Sequence, residues 1–206
     1  MRALSLLALL GCSAHRYSDG SGLEAQLERE IIALKQRLRS VEEDLSHCGT
    51  QAEGSLYASL HQVFAGSAID VVQRGPATVL SVRMSHLFSD LWEMTQRQEA
   101  DRHLDLLATA VLLNPDHDVT VIGHTDDRAI PRAHSDRYAD ALQLSLQLAS
   151  HVATELAESY EIDETRFTVA GRGSRDPLES NDLPAGQDAN ARLELILQRR
   201  PPPDPG

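Results

Sequence analysis

The chain has 206 residues, enough for one ordinary domain with appendages and tight for two. Hydrophobic residues make up 41% but aromatic ones only 4%, so a core must be mainly aliphatic. A net charge of −12 argues against a nucleic-acid binder, which needs a basic face, and against electrostatic docking on anionic lipid. Two cysteines, Cys12 and Cys48, exclude a disulfide scaffold and a Cys-rich zinc site.

Residues 1–11 read as an address. Arg2 precedes a mostly apolar run from Ala3 to Leu10, then Gly11 and Cys12. The run is shorter than the roughly 20 apolar residues that cross a bilayer. Leu9-Leu10-Gly11-Cys12 resembles the lipobox of bacterial lipoproteins. That resemblance implies cleavage before Cys12, lipidation of Cys12 and attachment to a membrane through acyl chains. Ser13 after the cysteine implies the outer membrane, with the protein on its periplasmic face. A chance apolar start on a cytosolic protein is the alternative.

Residues 12–22 read as a flexible lipidated tether with Ser18, Asp19, Gly20 and Ser21. Residues 23–48 then carry a heptad seam, Leu27, Ile31, Leu34, Leu38, Val41, Leu45 and Cys48. Glu30 against Lys35 and Arg37 against Glu42 fit a parallel homo-oligomer, and Gly49 is expected to end the helix. A single helix packed on its own domain is the other reading. Cys48 at a seam position meets its own copy in a parallel dimer, which gives either an interchain disulfide or a small buried hydrophobe.

The region 54–198 reads as α+β. A short amphipathic helix is expected over Leu56–Phe64. A hairpin follows, Ala68–Gln73 and Ala77–Met84 around Arg74-Gly75-Pro76. Arg102–Leu113 reads as a helix and Val119–Gly123 as a buried strand. Ser135–Tyr160 reads as a long helix because Tyr138, Leu142, Ser145, Ala149, Val152 and Leu156 hold a 3.6-residue period. Strands at Arg166–Gly171 and Ala191–Leu197 flank a loop rich in Gly, Pro, Asn and Asp. The proline-rich tail, 199–206, is expected to be disordered. The order β-β-α-β-α-β-β predicts a mixed sheet with helices packed on one face.

Val119-Thr-Val-Ile-Gly-His-Thr-Asp126 is a strand entering a polar turn. It resembles the G-H-T-D signature of the OmpA/MotB C-terminal domain family. Leu87-Phe88, Leu144-Ser145 with Ala149 and Val152, the loop from Gly171 through Pro177, Ser180-Asn181-Asp182 and Gly186, and Asn190, Arg192 and Glu194 fall at the family's spacing. The resemblance covers roughly residues 69–198. It implies peptidoglycan binding, with the diaminopimelate of the stem peptide held by its ammonium and carboxylate. Asp126 would receive the ammonium, with Thr125, Asp127 and Arg192 as the other candidate binding residues. The family's carboxylate-gripping Arg is absent, and Leu148 stands there. Ala141, Gln187 and Ala191 replace other polar residues of the motif. Arg128, Arg132 and Arg137 are candidate substitutes for the missing cation.

Two functions follow. One is an outer-membrane tether to peptidoglycan. The other is a domain that keeps the fold and serves as a protein-interaction or structural module. A metal site built from His124, Asp126, Asp127 and His134 is the least supported reading. No nucleophile–base pair, phosphate loop or cofactor motif is legible, so no enzyme and no cofactor are expected.

Overall fold

The computed structural model describes residues 21–201. The expected signal peptide, Cys12 and most of the tether and tail lie outside these residues, as does the side chain of Cys48. The chain divides into two compact units, Met1–Ser46 and His47–Gly206.

Helix α1 spans Ser21–Val63 without interruption. The expected stop at Gly49 and the separate helix over 56–64 are therefore one element. Glycine inside a helix costs only about 1 kcal/mol relative to alanine. Leu56 and Leu60 are buried in the core of the second unit, so tertiary packing carries the helix past both Gly49 and Gly54. In the first unit the seam residues Leu27, Ile31, Leu34, Leu38 and Val41 are all about half exposed, 49–64%.

In the second unit β1 (Ile69–Arg74) and β2 (Ala77–Arg83) form the expected hairpin, with Arg74 opposite Ala77 and Gly75 in a left-handed conformation, φ 60°. A short helix α2 (Met84–Leu87) and a small hairpin, β3 (Phe88–Asp90) with β4 (Thr95–Gln96), lead to α3 (Ala100–Leu112). Then come β5 (His117–His124), α4 (Ala141–Ser159), β6 (Phe167–Gly173), α5 (Pro184–Asn190) and β7 (Arg192–Arg199). The sheet order is β1-β2-β7-β5-β6. Only β5 and β6, joined through α4, run parallel. This is the expected α+β architecture.

One face of the sheet carries Leu80, Val82, Val119, Val121, Leu193, Leu195 and Leu197, all essentially inaccessible. They share a core with Leu104 and Leu107 of α3 and Leu144, Leu148, Val152 and Leu156 of α4. α4 lies directly on the strand ends. A Cβ at Gly123 would stand 2.0 Å from the Ser145 carbonyl oxygen, and one at Gly171 would stand 2.7 Å from the Leu146 nitrogen. Ser145 completes the seam, its Oγ accepting from the Gly173 N–H at 2.9 Å.

Two boundaries differ from expectation. α4 begins at Ala141, not Ser135, because Asp140 caps it by accepting from the Gln143 N–H at 2.8 Å. Upstream, Arg132–His134 form a separate 3-10 turn. The loop after β6 also contains α5, which a single proline at its first turn starts.

Candidate functional site

The turn after β5 places Asp126 just beyond the end of a buried strand, and the residue is 6% exposed. Its Oδ1 accepts from the Arg128 N–H at 2.8 Å, so the carboxylate organises its own turn. Its Oδ2 accepts from Arg128 Nε at 3.0 Å and Nη2 at 2.6 Å. The carboxylate beside it raises the Arg128 guanidinium's pKa, chiefly through the hydrogen bond. The two partners differ in exposure: Arg128's side chain is 57% exposed, Asp126's 8%. Thr125 is buried next door, its N–H donating to the Gly173 carbonyl at 3.0 Å, while its hydroxyl has no partner.

Apolar groups close over this pair. Leu91, Trp92, Ile130, Ala141, Leu144 and Ala191 line a cavity at Asp126 of only about 10 Å³. Ala141 and Ala191, two positions where the motif has polar residues, are thus part of its wall. Leu148, the third departure, is not. It is fully buried in the core of α4 and does not line the cavity.

Among the three candidate cations, Arg128 reaches Asp126. Arg137 is held elsewhere, donating to Glu93 Oε2 at 2.8 Å and to the Trp92 carbonyl at 3.1 Å, and Arg132 is exposed. Asp127 is exposed beside Asp126. His134 stacks on Trp92 and stands 3.4 Å from Glu93, away from His124.

Arg192 is not part of the Asp126 site. Side chains alternate along β7, so Ala191 lines the Asp126 cavity while Arg192 and Glu194 belong to the opposite sheet face. There Glu194, 3% exposed, accepts from Arg192 Nε at 2.9 Å and Arg74 Nη1 at 2.9 Å. Arg192 also donates to the Asp176 carbonyl at 3.1 Å. His124 faces this same network, its Nε2 standing 3.8 Å from Glu194. Burial first, and Arg192 second, push its pKa down to about 4. The Arg74 hydrogen bond and the Arg192 charge hold the Glu194 carboxyl below its ordinary range, against its burial. Strand alternation applied to Arg192, Glu194 and His124 was the signal that separates the two faces. Nothing in the motif spacing reveals the Arg128–Asp126 pair.

Another motif residue, Asn190, holds the long loop. Its side-chain oxygen accepts from Leu178 and Glu179 N–H groups at 2.7 and 2.9 Å. Among the described residues no group of three or more His, Cys, Asp or Glu side chains is placed to hold a metal ion.

The mixed sheet, the α4 helix pressed on its glycines and the capped acidic turn define a small α+β domain. The OmpA family model matches residues 93–191, so this region carries an OmpA-like domain. Motility protein B of Bacillus subtilis (strain 168) is 25% identical over 114 residues, covering 55% of this chain. The chain matches 42% of that relative's length. A MotB-like protein from Desulfovibrio vulgaris superimposes with a TM-score of 0.68 at 23% identity, over 78% of this chain and 99% of that one. The cell wall anchor of the T6SS from Pseudomonas aeruginosa gives 0.61 at 26% identity, over 70% and 97%.

Proposed function

We propose that this protein is a non-catalytic envelope tether, anchored by lipid on Cys12 in the outer membrane and holding peptidoglycan non-covalently through its OmpA-like domain. The observation that carries the reading is the Arg128 guanidinium seated on the nearly buried Asp126 carboxylate. A diaminopimelate end presents one ammonium and one carboxylate. Arg128 is the exposed partner and can turn outward. In doing so it releases Asp126 for the ammonium and offers its own planar fork to the carboxylate. Thr125, with an unpartnered buried hydroxyl, adds a polar group at the same turn. The cell wall anchor among the similar structures agrees with a wall-facing role. The exposed seam of α1 fits a parallel oligomer of stalks.

A second reading has its own observation. The cavity at Asp126 holds only about 10 Å³, and Leu148 leaves no Arg on α4. A domain closed in this way would keep the fold and bind a protein partner.

Sedimentation with purified sacculi separates the two, using the compact unit from His47 onward. The tether predicts that wild type co-sediments, that Asp126→Ala abolishes this and that Arg128→Gln weakens it. Absence of wild-type sedimentation, or binding indifferent to Asp126→Ala, rejects the site. Palmitate labelling of the full chain, lost in Cys12→Ser, tests the anchor. An unlabelled protein in the inner-membrane fraction would instead match the motility-protein relatives in attachment.

A further inference from the structure

The face of the sheet opposite the core has a cleft of about 460 Å³ that the Asp126 site does not use. Its floor is the Arg74–Glu194–Arg192 network and its rim is the end of β6 with Arg172 and the following loop with Arg175 and Asp176. Four guanidinium groups meet two carboxylates here, so two positive charges are left over in a chain whose net charge is −12. The buried carboxylate is already saturated, held by Arg74 and Arg192. Arg172 stands 3.3 Å from Asp176, and Arg175 has no ion pair among the described residues.

The second observation is His124. It lines this cleft, is 3% exposed, and neither ring nitrogen makes a hydrogen bond. Buried polar groups nearly always find a partner, and one left over at a cleft floor marks a place for an absent acceptor or donor. The surrounding charge decides which. An anion is attracted to the surplus guanidinium groups, and its oxygens complete the hydrogen bonding of the imidazole N–H. A cation is repelled.

We propose that this cleft is a second binding site, specific for a doubly charged oxyanion of the phosphate monoester class. Two surplus guanidinium groups match a dianion, and their forks match tetrahedral phosphate oxygens. The rim contributes Pro177 and Leu178, and Leu178 is 60% exposed, so the group that carries the phosphate meets an apolar edge. The site is independent of peptidoglycan and of Asp126. The phosphate is either borne by a soluble or wall-linked molecule or displayed by a lipid headgroup.

The test is titration of the full chain with inorganic phosphate at constant ionic strength, followed by calorimetry and by the His124 ring resonances. Saturable binding is expected, with the His124 signal moving. Arg172→Gln with Arg175→Gln, both at exposed positions, should weaken it roughly tenfold or more. Asp126→Ala should leave it unchanged, which separates this site from the wall site. Co-sedimentation with phosphatidic acid vesicles that depends on Arg172 and Arg175 would assign the phosphate to lipid. Phosphate binding without vesicle binding would assign it to a soluble or wall-borne molecule. No saturable binding, an equal response to chloride, or affinity indifferent to the double substitution overturns the proposal.

Discussion

The same pairing, an arginine on a buried carboxylate, occurs on both sides of this sheet and does different work on each. At Asp126 the arginine comes from two residues along the same turn and is more than half exposed. At Glu194 two arginines converge, one from the adjacent position on the same face of β7 and one from β1, and the Arg192 side chain is only 4% exposed. A half-exposed pair is screened by water and is worth about 1 kcal/mol or less, so its arginine is free to leave. A desolvated pair with added hydrogen bonds is a fixed part of the fold, because removing one partner strands the other's charge. Distance alone does not distinguish a latch from a strut. Exposure does.

The contrast can be broken by design. Leu148→Arg restores the motif's arginine but places it in the hydrophobic core, where Leu148 is wholly inaccessible. The expected result is a stability loss of about 5 kcal/mol in denaturant unfolding, with no gain in wall binding. Arg192→Ala, on the opposite face, leaves Glu194 half satisfied and should cost about 3–4 kcal/mol by the same measurement.

Acid provides a finer test of the fixed side. The His124 pKa, ordinarily 6.5, is pushed down to about 4 in the folded state. Its contribution is whole above pH 6.5 and is lost as pH falls toward 4, because the unfolded chain then binds a proton that the folded chain refuses. The depressed Glu194 carboxyl adds a loss in the same direction at lower pH. Thermal unfolding temperature should therefore fall between pH 6.5 and 4, and His124→Gln should flatten that fall. The smallest effect belongs to the latch: Arg128→Gln should change stability by less than about 1 kcal/mol, while altering sacculus binding. A large stability loss there would mean that Arg128 is a strut as well.

Much of the fold was legible because its signals are local. The hairpin follows from two β-branched runs around Gly75-Pro76, and the period through Leu142, Ser145, Ala149 and Val152 outweighs the strand-like alternation of residues 142–148. The Ser145 motif position has a tertiary cause instead, since small residues at 123, 145 and 171 let α4 touch the strands. The start of α4 was misread because residues 135–140 share its apolar spacing through Tyr138. That side chain is instead buried by a different bond, its hydroxyl donating to the Trp92 carbonyl at 2.8 Å. The length of α1 was misread because Gly49 is a stop signal only when nothing beyond it packs.

The sequence by itself determined the class of element at nearly every position, the family motif and the loss of its arginine. These depend on neighbours within a few residues, or on residue identity. Tertiary structure alone decided that Arg128 seats on Asp126, that the cavity there is nearly closed, and that Arg74 joins Arg192, Glu194 and His124 on the opposite face. Those outcomes depend on which side of a sheet each side chain faces and on what the remaining chain brings to cover it. Burial then sets the strength of every charge involved.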